Sequence, residues 1–149
     1  MPKSLPANRL LADNYPFQLP TETRYSDLDS YAHLNNGSIG RFYENARARM
    51  HLQIYQRDDF FHSAADEKVL LVDCHLRYLH EGHFPAPVVV TSGIGRIGRT
   101  SYDIHQAVFQ HGKCIGLCDA TMVRTFMGTP SPIEGRLLAQ FEQALIKVE

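Results

Sequence analysis

What most constrains this chain is a change of hydrophobic period at Lys68. Upstream, Ile39, Phe42, Tyr43, Ala46 and Met50 recur at three and four residues, with Arg41, Glu44, Arg47 and Arg49 on the other side. That spacing predicts an amphipathic helix running to about Tyr55, capped by Asn36 or Ser38. Downstream the period is two. Val72, Cys74, Leu76 and Tyr78 share one face of a strand, and Asp73, His75 and Arg77 the other. Residues 88–97, 101–110 and 113–126 read as three further strands, the last two joined by a tight turn at His111-Gly112. Links this short cannot hold crossover helices, so the strands form an antiparallel meander.

The flanks complete the pattern. Residues 17–25 hold a first strand that Pro20 confines to its later part or to a sheet edge. Residues 1–16, rich in Pro, Asn and Asp, read as a leader, and 17–149 as a single domain. Ser131-Pro132-Ile133-Glu134 combines a cap, a proline at the first helical position and a glutamate three residues after the cap. A terminal helix with the stripe Ile133, Leu137, Phe141 and Leu145 is therefore expected. The fold class is α+β, with one sheet face covering the long helix. Residues 88–97 show little polar alternation, which predicts a partner on the other face and hence an oligomer. Gly40 weakens the first helical turns by about 1 kcal/mol relative to alanine, unless it admits another chain element.

Composition narrows the partners. The chain has 149 residues, 44% of them hydrophobic, enough for one core. Its net charge of -1 gives no basic field for nucleic acid. No apolar run reaches bilayer length, and the N-terminus lacks the apolar core of a signal peptide. Cys74, Cys114 and Cys118 form neither a disulfide framework nor a C-x-x-C pair, so a cytoplasmic location is expected.

Chemistry concentrates at the helix start. Asp27, Asp29, His33, Asn35, Asn36 and Glu44 fall within eighteen residues. Free N–H groups at a helix N-terminus offer an oxyanion site, and a carboxylate beside them can activate water or attack a carbonyl. His33 would orient that carboxylate or donate to it, and Asn35 and Asn36 would position a carbonyl or water. On residues alone, an Asx-rich loop that only caps the helix fits equally well.

Residues 24–47, beginning RYSDLDSYAHLNN and continuing GSIGRFYENAR, closely resemble the signature of hotdog-fold acyl thioesterases of the 4-hydroxybenzoyl-CoA thioesterase type. That signature runs R-[YF]-x-D-x-D-x-x-G-H-V-N-N into an aromatic-rich helix carrying Glu and Arg. The resemblance extends in weaker form over about residues 18–127. It implies a curved antiparallel sheet wrapped around a long helix, two such units joined edge to edge, and acyl-CoA hydrolysed at the interface. The second aspartate of the D-x-D pair, here Asp29, becomes the catalytic carboxylate, as nucleophile or general base, with His33 as its catalytic neighbour. Asn35, Asn36, Gly37 and Ser38 become substrate-binding, through the N–H groups of the turn from Asn36 to Gly40. Glu44 matches the helix glutamate, as a site residue or as the partner of Arg47. Coenzyme A enters as part of the substrate; no separate cofactor and no metal is implied.

Three departures from the signature stand out. Ala32 replaces glycine, which costs energy if its φ is positive. Tyr31 stands where carrier-protein thioesterases of the plant type have asparagine. The loop Glu81-Gly-His-Phe-Pro-Ala-Pro87 differs from the usual Arg-Pro turn and Gly-Asp pair. They keep two other functions open: a non-catalytic acyl-CoA-binding or assembly module, and a thioesterase acting on carrier-protein substrates. The hydratase branch is disfavoured, because Asp29 and His33 are four apart and no Asn-Pro intervenes.

Other motifs are weaker. Residues 93–98 match G-x-G-x-x-G, but no helix pattern follows, so glycines bounding a hairpin explain them better. Arg96 and Arg99 there are candidates for a CoA phosphate, or simply solvated. His75, His80, His83 and Cys74 lack metal-ligand spacing. His51 and His62 read as surface or helix-end residues.

Overall fold

A computed structural model describes residues 4–148; residues 1–3 of the expected leader and residue 149 lie outside the described residues. The long helix, α1, spans Asn36–Tyr55. Its cap is neither Asn36 nor Ser38 but Asn35, whose Oδ1 accepts the Gly37 N–H at 2.7 Å. An extended φ, ψ at Asn35 lets its side chain reach back over the first turn.

Strands β1 (Phe17–Thr21), β2 (Glu67–Tyr78), β3 (Val88–Ile97), β4 (Ser101–Gln110) and β5 (Lys113–Phe126) form one antiparallel sheet in the order β1-β3-β4-β5-β2. The sheet curls as a half-barrel around α1, which is the hotdog fold. Pro20 lies on the edge strand β1, as its missing N–H requires, but the strand is the early part of 17–25. Residues His111 and Gly112 both have positive φ, the conformation of a two-residue hairpin turn. A bulge breaks the predicted alternation of β2 at Val72: Leu71 pairs with Met122 and Asp73 with Thr121. Leu71 rather than Val72 thus continues the helix-facing row of Cys74 and Leu76.

Two groups of side chains fill the space between α1 and the sheet. Ile39, Tyr43 and Ala46 pack on Val88, Val90, Val108 and Ile115 at one end. Met50 and Ile54 meet Ile94, Tyr102, Ile104 and Phe141 at the other. Arg47 and His51 also turn inward, contrary to the expectation that they lie on the solvent side or at a helix end. Both find polar partners on β4. Arg47 Nη1 donates to Gln106 Oε1 at 3.1 Å, and His51 Nε2 lies 2.6 Å from the Tyr102 hydroxyl.

Over β3, β4 and β5 the outer sheet face is covered from within the chain. Tyr15 and Leu10 of the N-terminal segment and Ile146 near the C-terminus join Ala107, Phe109 and Leu117 in a third cluster. Arg9 is buried there, its Nη1 2.6 Å from Asp119 Oδ1 and its Nη2 donating to the Gln106 carbonyl. The unalternating β3 therefore needs no partner on that side.

The terminal helix α2 is shorter than predicted, Gly135–Gln143, and the capping box at Ser131 does not form. Residues 131–133 belong to no regular element, with the Ile133 N–H on the Arg99 carbonyl and Arg124 on the Pro132 carbonyl. A two-residue strand, β6 (Thr129–Pro130), extends β5 as a hairpin and was not anticipated. Of the expected stripe, Ile133 and Phe141 are buried and Leu145 is largely exposed.

Candidate active site

The segment before α1 is held by its own polar groups. The buried Asp27 accepts the Arg24 N–H on Oδ2 at 2.8 Å, and its carbonyl accepts the Asn35 N–H at 2.7 Å. It is structural. Leu28 and Leu34 form an isolated bridge, so residues 29–33 close as a tight loop. Asp29 stands at the mouth of that loop. Its Oδ1 accepts the N–H groups of Tyr31 at 2.9 Å and His33 at 3.1 Å, while Oδ2 has no partner among the described hydrogen bonds. Ala32 has φ 62°, the strained case for a residue with a Cβ.

Asp29, His33 and Asn36 line a cleft of about 270 Å³ with Tyr78, His80 and Glu81. The 79–87 loop is pinned against it. The Leu34 N–H donates to the Gly82 carbonyl at 2.8 Å, and a side chain at Gly82 would collide with Leu34. Gln110 binds the His83 N–H and donates to the His83 and Ala86 carbonyls. Glu81 Oε2 consequently sits 3.1 Å from His33 Nε2, and the His83 ring meets His33 edge-on at 5.5 Å. Glu81 was missed as a site residue, although it opens the loop where the sequence departs from the signature.

The N–H groups of the first helical turn divide clearly. Gly37 is taken by the Asn35 side chain, and Ile39 donates to the Asn35 carbonyl. Asn36 and Ser38 have no backbone or side-chain acceptor among the described hydrogen bonds outside the helix, so their N–H groups are the unpaired donors of this turn, and Asn36 lines the cleft. Asn35 spends its Oδ1 on capping, which leaves its Nδ2 as the group that could meet a substrate carbonyl. Ser38 is buried, with Arg41 Nη2 on its hydroxyl at 2.9 Å.

The remaining candidates lie elsewhere. Glu44 is exposed on α1 and does not pair with Arg47. Arg96 is engaged with Asp103 at 2.9 and 3.1 Å and with Ser101. Arg99 is exposed in the β3–β4 turn. That turn is at the α2 end of the sheet, away from Asp29. Among the described residues no group of His, Cys, Asp and Glu is arranged to hold a metal ion. Residues 93–98 lie in β3 and its turn, and no helix follows them.

A family model described as the thioesterase-like superfamily matches residues 23–144. The chain belongs to this superfamily. Its fold is similar to solved structures over most of their length. A Pseudomonas aeruginosa protein superposes with a TM-score of 0.81 at 20% identity, covering 93% of this chain and 98% of that one. A coenzyme A and zinc complex of a Thermus thermophilus thioesterase gives 0.78 at 20% identity, with 89% and 96% covered. A Bacillus stearothermophilus protein described as a predicted thioesterase gives 0.77 at 22%, with 88% and 97% covered. No curated protein matches this thioesterase-like chain in sequence.

Proposed function

We propose that the protein hydrolyses acyl-CoA thioesters to free acid and coenzyme A, with Asp29 as the reacting carboxylate. One observation carries this: Asp29 is held rigidly through Oδ1 by two N–H groups, its Oδ2 is unengaged, and the unpaired N–H groups of α1 begin seven residues away. Superfamily membership and the coenzyme A complex of the Thermus thermophilus structure support the substrate class.

Two routes use the same atoms. As nucleophile, Oδ2 attacks the thioester carbonyl, the C–S bond breaks, and coenzyme A leaves as thiolate and takes up a proton. Water then hydrolyses the mixed anhydride and restores the carboxylate. As base, Asp29 removes a proton from water while the oxygen attacks, and that proton passes to the departing thiolate. In both routes the N–H groups of Asn36 and Ser38 stabilise the oxyanion, and His33, steadied by Glu81, positions the reactants. When water attacks the Asp29 carbon of the anhydride, a single turnover in H218O labels Asp29 and puts an Asp29 oxygen in the product, which the base route never does.

The functional unit is a homodimer built on β2. That strand is a sheet edge of twelve residues whose Leu70, Leu71 and Val72 are 52%, 48% and 57% exposed. A long apolar edge with unpaired backbone groups is a template for another strand. Antiparallel pairing with a second copy about a twofold axis satisfies it. It also turns the Arg96–Arg99 end of one copy towards the Asp29 end of the other, where coenzyme A phosphates need cations.

The test is a panel of acyl-CoAs, from short to long and aromatic, with the same acyl groups on carrier protein. Turnover of the CoA esters is expected. Binding without turnover would favour an acyl-CoA-binding module, and preference for carrier protein a biosynthetic thioesterase.

A further inference from the structure

A second cleft, of about 300 Å³, separates α1 from β2, running from Gly37 and Gly40 to Arg47, with Leu71, Cys74 and Leu76 as its opposite wall. Arg47 lies deep in this groove, 8% exposed. No carboxylate among the described residues is within ion-pair distance of it. Among the described residues only Nη1 is engaged, by Gln106 Oε1 at 3.1 Å and weakly by Cys118 Sγ at 3.8 Å. A guanidinium cannot shed its charge, and the unengaged Nε and Nη2, which are not among the fully buried unpartnered atoms, face the open groove as donors. The Tyr43 hydroxyl, on a side chain 1% exposed, likewise has no partner.

Gly40 keeps the groove open. A Cβ there would meet nothing within 4 Å, so among the described residues no other element approaches the glycine. The charges around the groove are unbalanced. Glu44 stands exposed at its rim, against Arg47 in its depth and Arg41, which is held on Ser38.

We propose that this groove is the acyl subsite and that it takes an acyl group ending in a carboxylate. The proposal rests on thioester chemistry at Asp29, because the groove starts at Gly37, on the same helical turn as the N–H groups of Asn36 and Ser38. The Arg47 Cα lies about 14 Å along the helix from Ser38, and its side chain leans back towards the N-terminus. A medium-length acyl chain spans the remainder. Its terminal carboxylate accepts the unengaged N–H groups of Arg47 as a forked pair. A methyl terminus would offer those N–H groups no acceptor.

Adipyl-CoA and hexanoyl-CoA carry the same number of carbons and differ only at the end. The wild-type protein is expected to show a kcat/KM at least tenfold higher for adipyl-CoA. Equal or better turnover of hexanoyl-CoA would overturn the proposal. Arg47→Gln should collapse the ratio towards one, and Glu44→Gln should raise it. Because a change at buried Arg47 can unfold the chain, the wild-type ratio decides by itself. Calorimetric binding of both esters to Asp29→Asn separates the subsite from the hydrolysis. Tighter binding of adipyl-CoA without wild-type turnover of either ester would fail the hydrolysis and keep the subsite. Equal or weaker binding of adipyl-CoA would overturn the subsite whatever the turnover.

Discussion

His33 Nε2 lies 3.1 Å from Glu81 Oε2, joining the loop before α1 to the loop after β2 across the Asp29 cleft. The pair fixes which ring nitrogen of His33 carries its proton and which way the ring faces. Glu81 is 66% exposed, so water screens most of the interaction. Replacing Glu81 by alanine is therefore expected to lower kcat/KM roughly two- to fivefold, the range of an exposed ion pair of up to about 1 kcal/mol. Steady-state kinetics on a turned-over acyl-CoA checks this. A loss above a hundredfold would place Glu81 in the chemistry itself.

Ala32 adopts φ 62°, where a Cβ costs about 1–2 kcal/mol. Ala32→Gly removes that strain but loosens the unfolded chain by about 0.5–1 kcal/mol. A net stabilisation of about 0.5–1 kcal/mol is expected, read as a higher denaturation midpoint in urea. Destabilisation would show that the Ala32 methyl makes a contact worth more than the strain.

His51 is 2% exposed, and burial lowers its pKa to about 4. Its Nδ1 faces the Arg47 carbonyl at 2.9 Å and must donate, so Nε2 accepts the proton of the Tyr102 hydroxyl at 2.6 Å. The unfolded chain binds a proton there near pH 6.5 and the folded chain only near 4. Stability from this group is thus complete above pH 6.5 and drains away as the pH falls towards 4, by on the order of 3 kcal/mol. Thermal denaturation between pH 4 and 7 should show that slope in the wild type and a flatter one in His51→Gln.

The four main strands and the body of α1 were legible because their periods are local properties of the chain. The inward turn of Arg47 and His51 was not, since their partners Gln106 and Tyr102 stand 59 and 51 residues further on. Nothing near α1 in sequence reveals that the curled sheet brings acceptors to a helix face otherwise fit for solvent. The cap of α1 was misplaced for a related reason. Asn35, Asn36 and Ser38 are all good capping residues and read alike until backbone angles choose one. The start of α2 failed because Ile133 and Pro132 are claimed by the backbone of Arg99 and the side chain of Arg124, which outcompete a local capping box. The signature singled out Asp29 as the candidate carboxylate, and Asp29 does line the cleft. Glu81 was not legible, because only the fold carries its loop across to His33.

The central claim concerns one oxygen atom. Asp29→Asn keeps an Oδ1 to accept the N–H groups of Tyr31 and His33, so the loop and the fold should survive. It replaces the unengaged carboxylate oxygen by an amide that can neither attack nor take a proton. Turnover of the best acyl-CoA by a folded Asp29→Asn protein, its denaturation midpoint matched to wild type, is the most direct measurement. A fall in kcat of about 10²- to 10⁴-fold is predicted. Retention of wild-type kcat would contradict the assignment of Asp29.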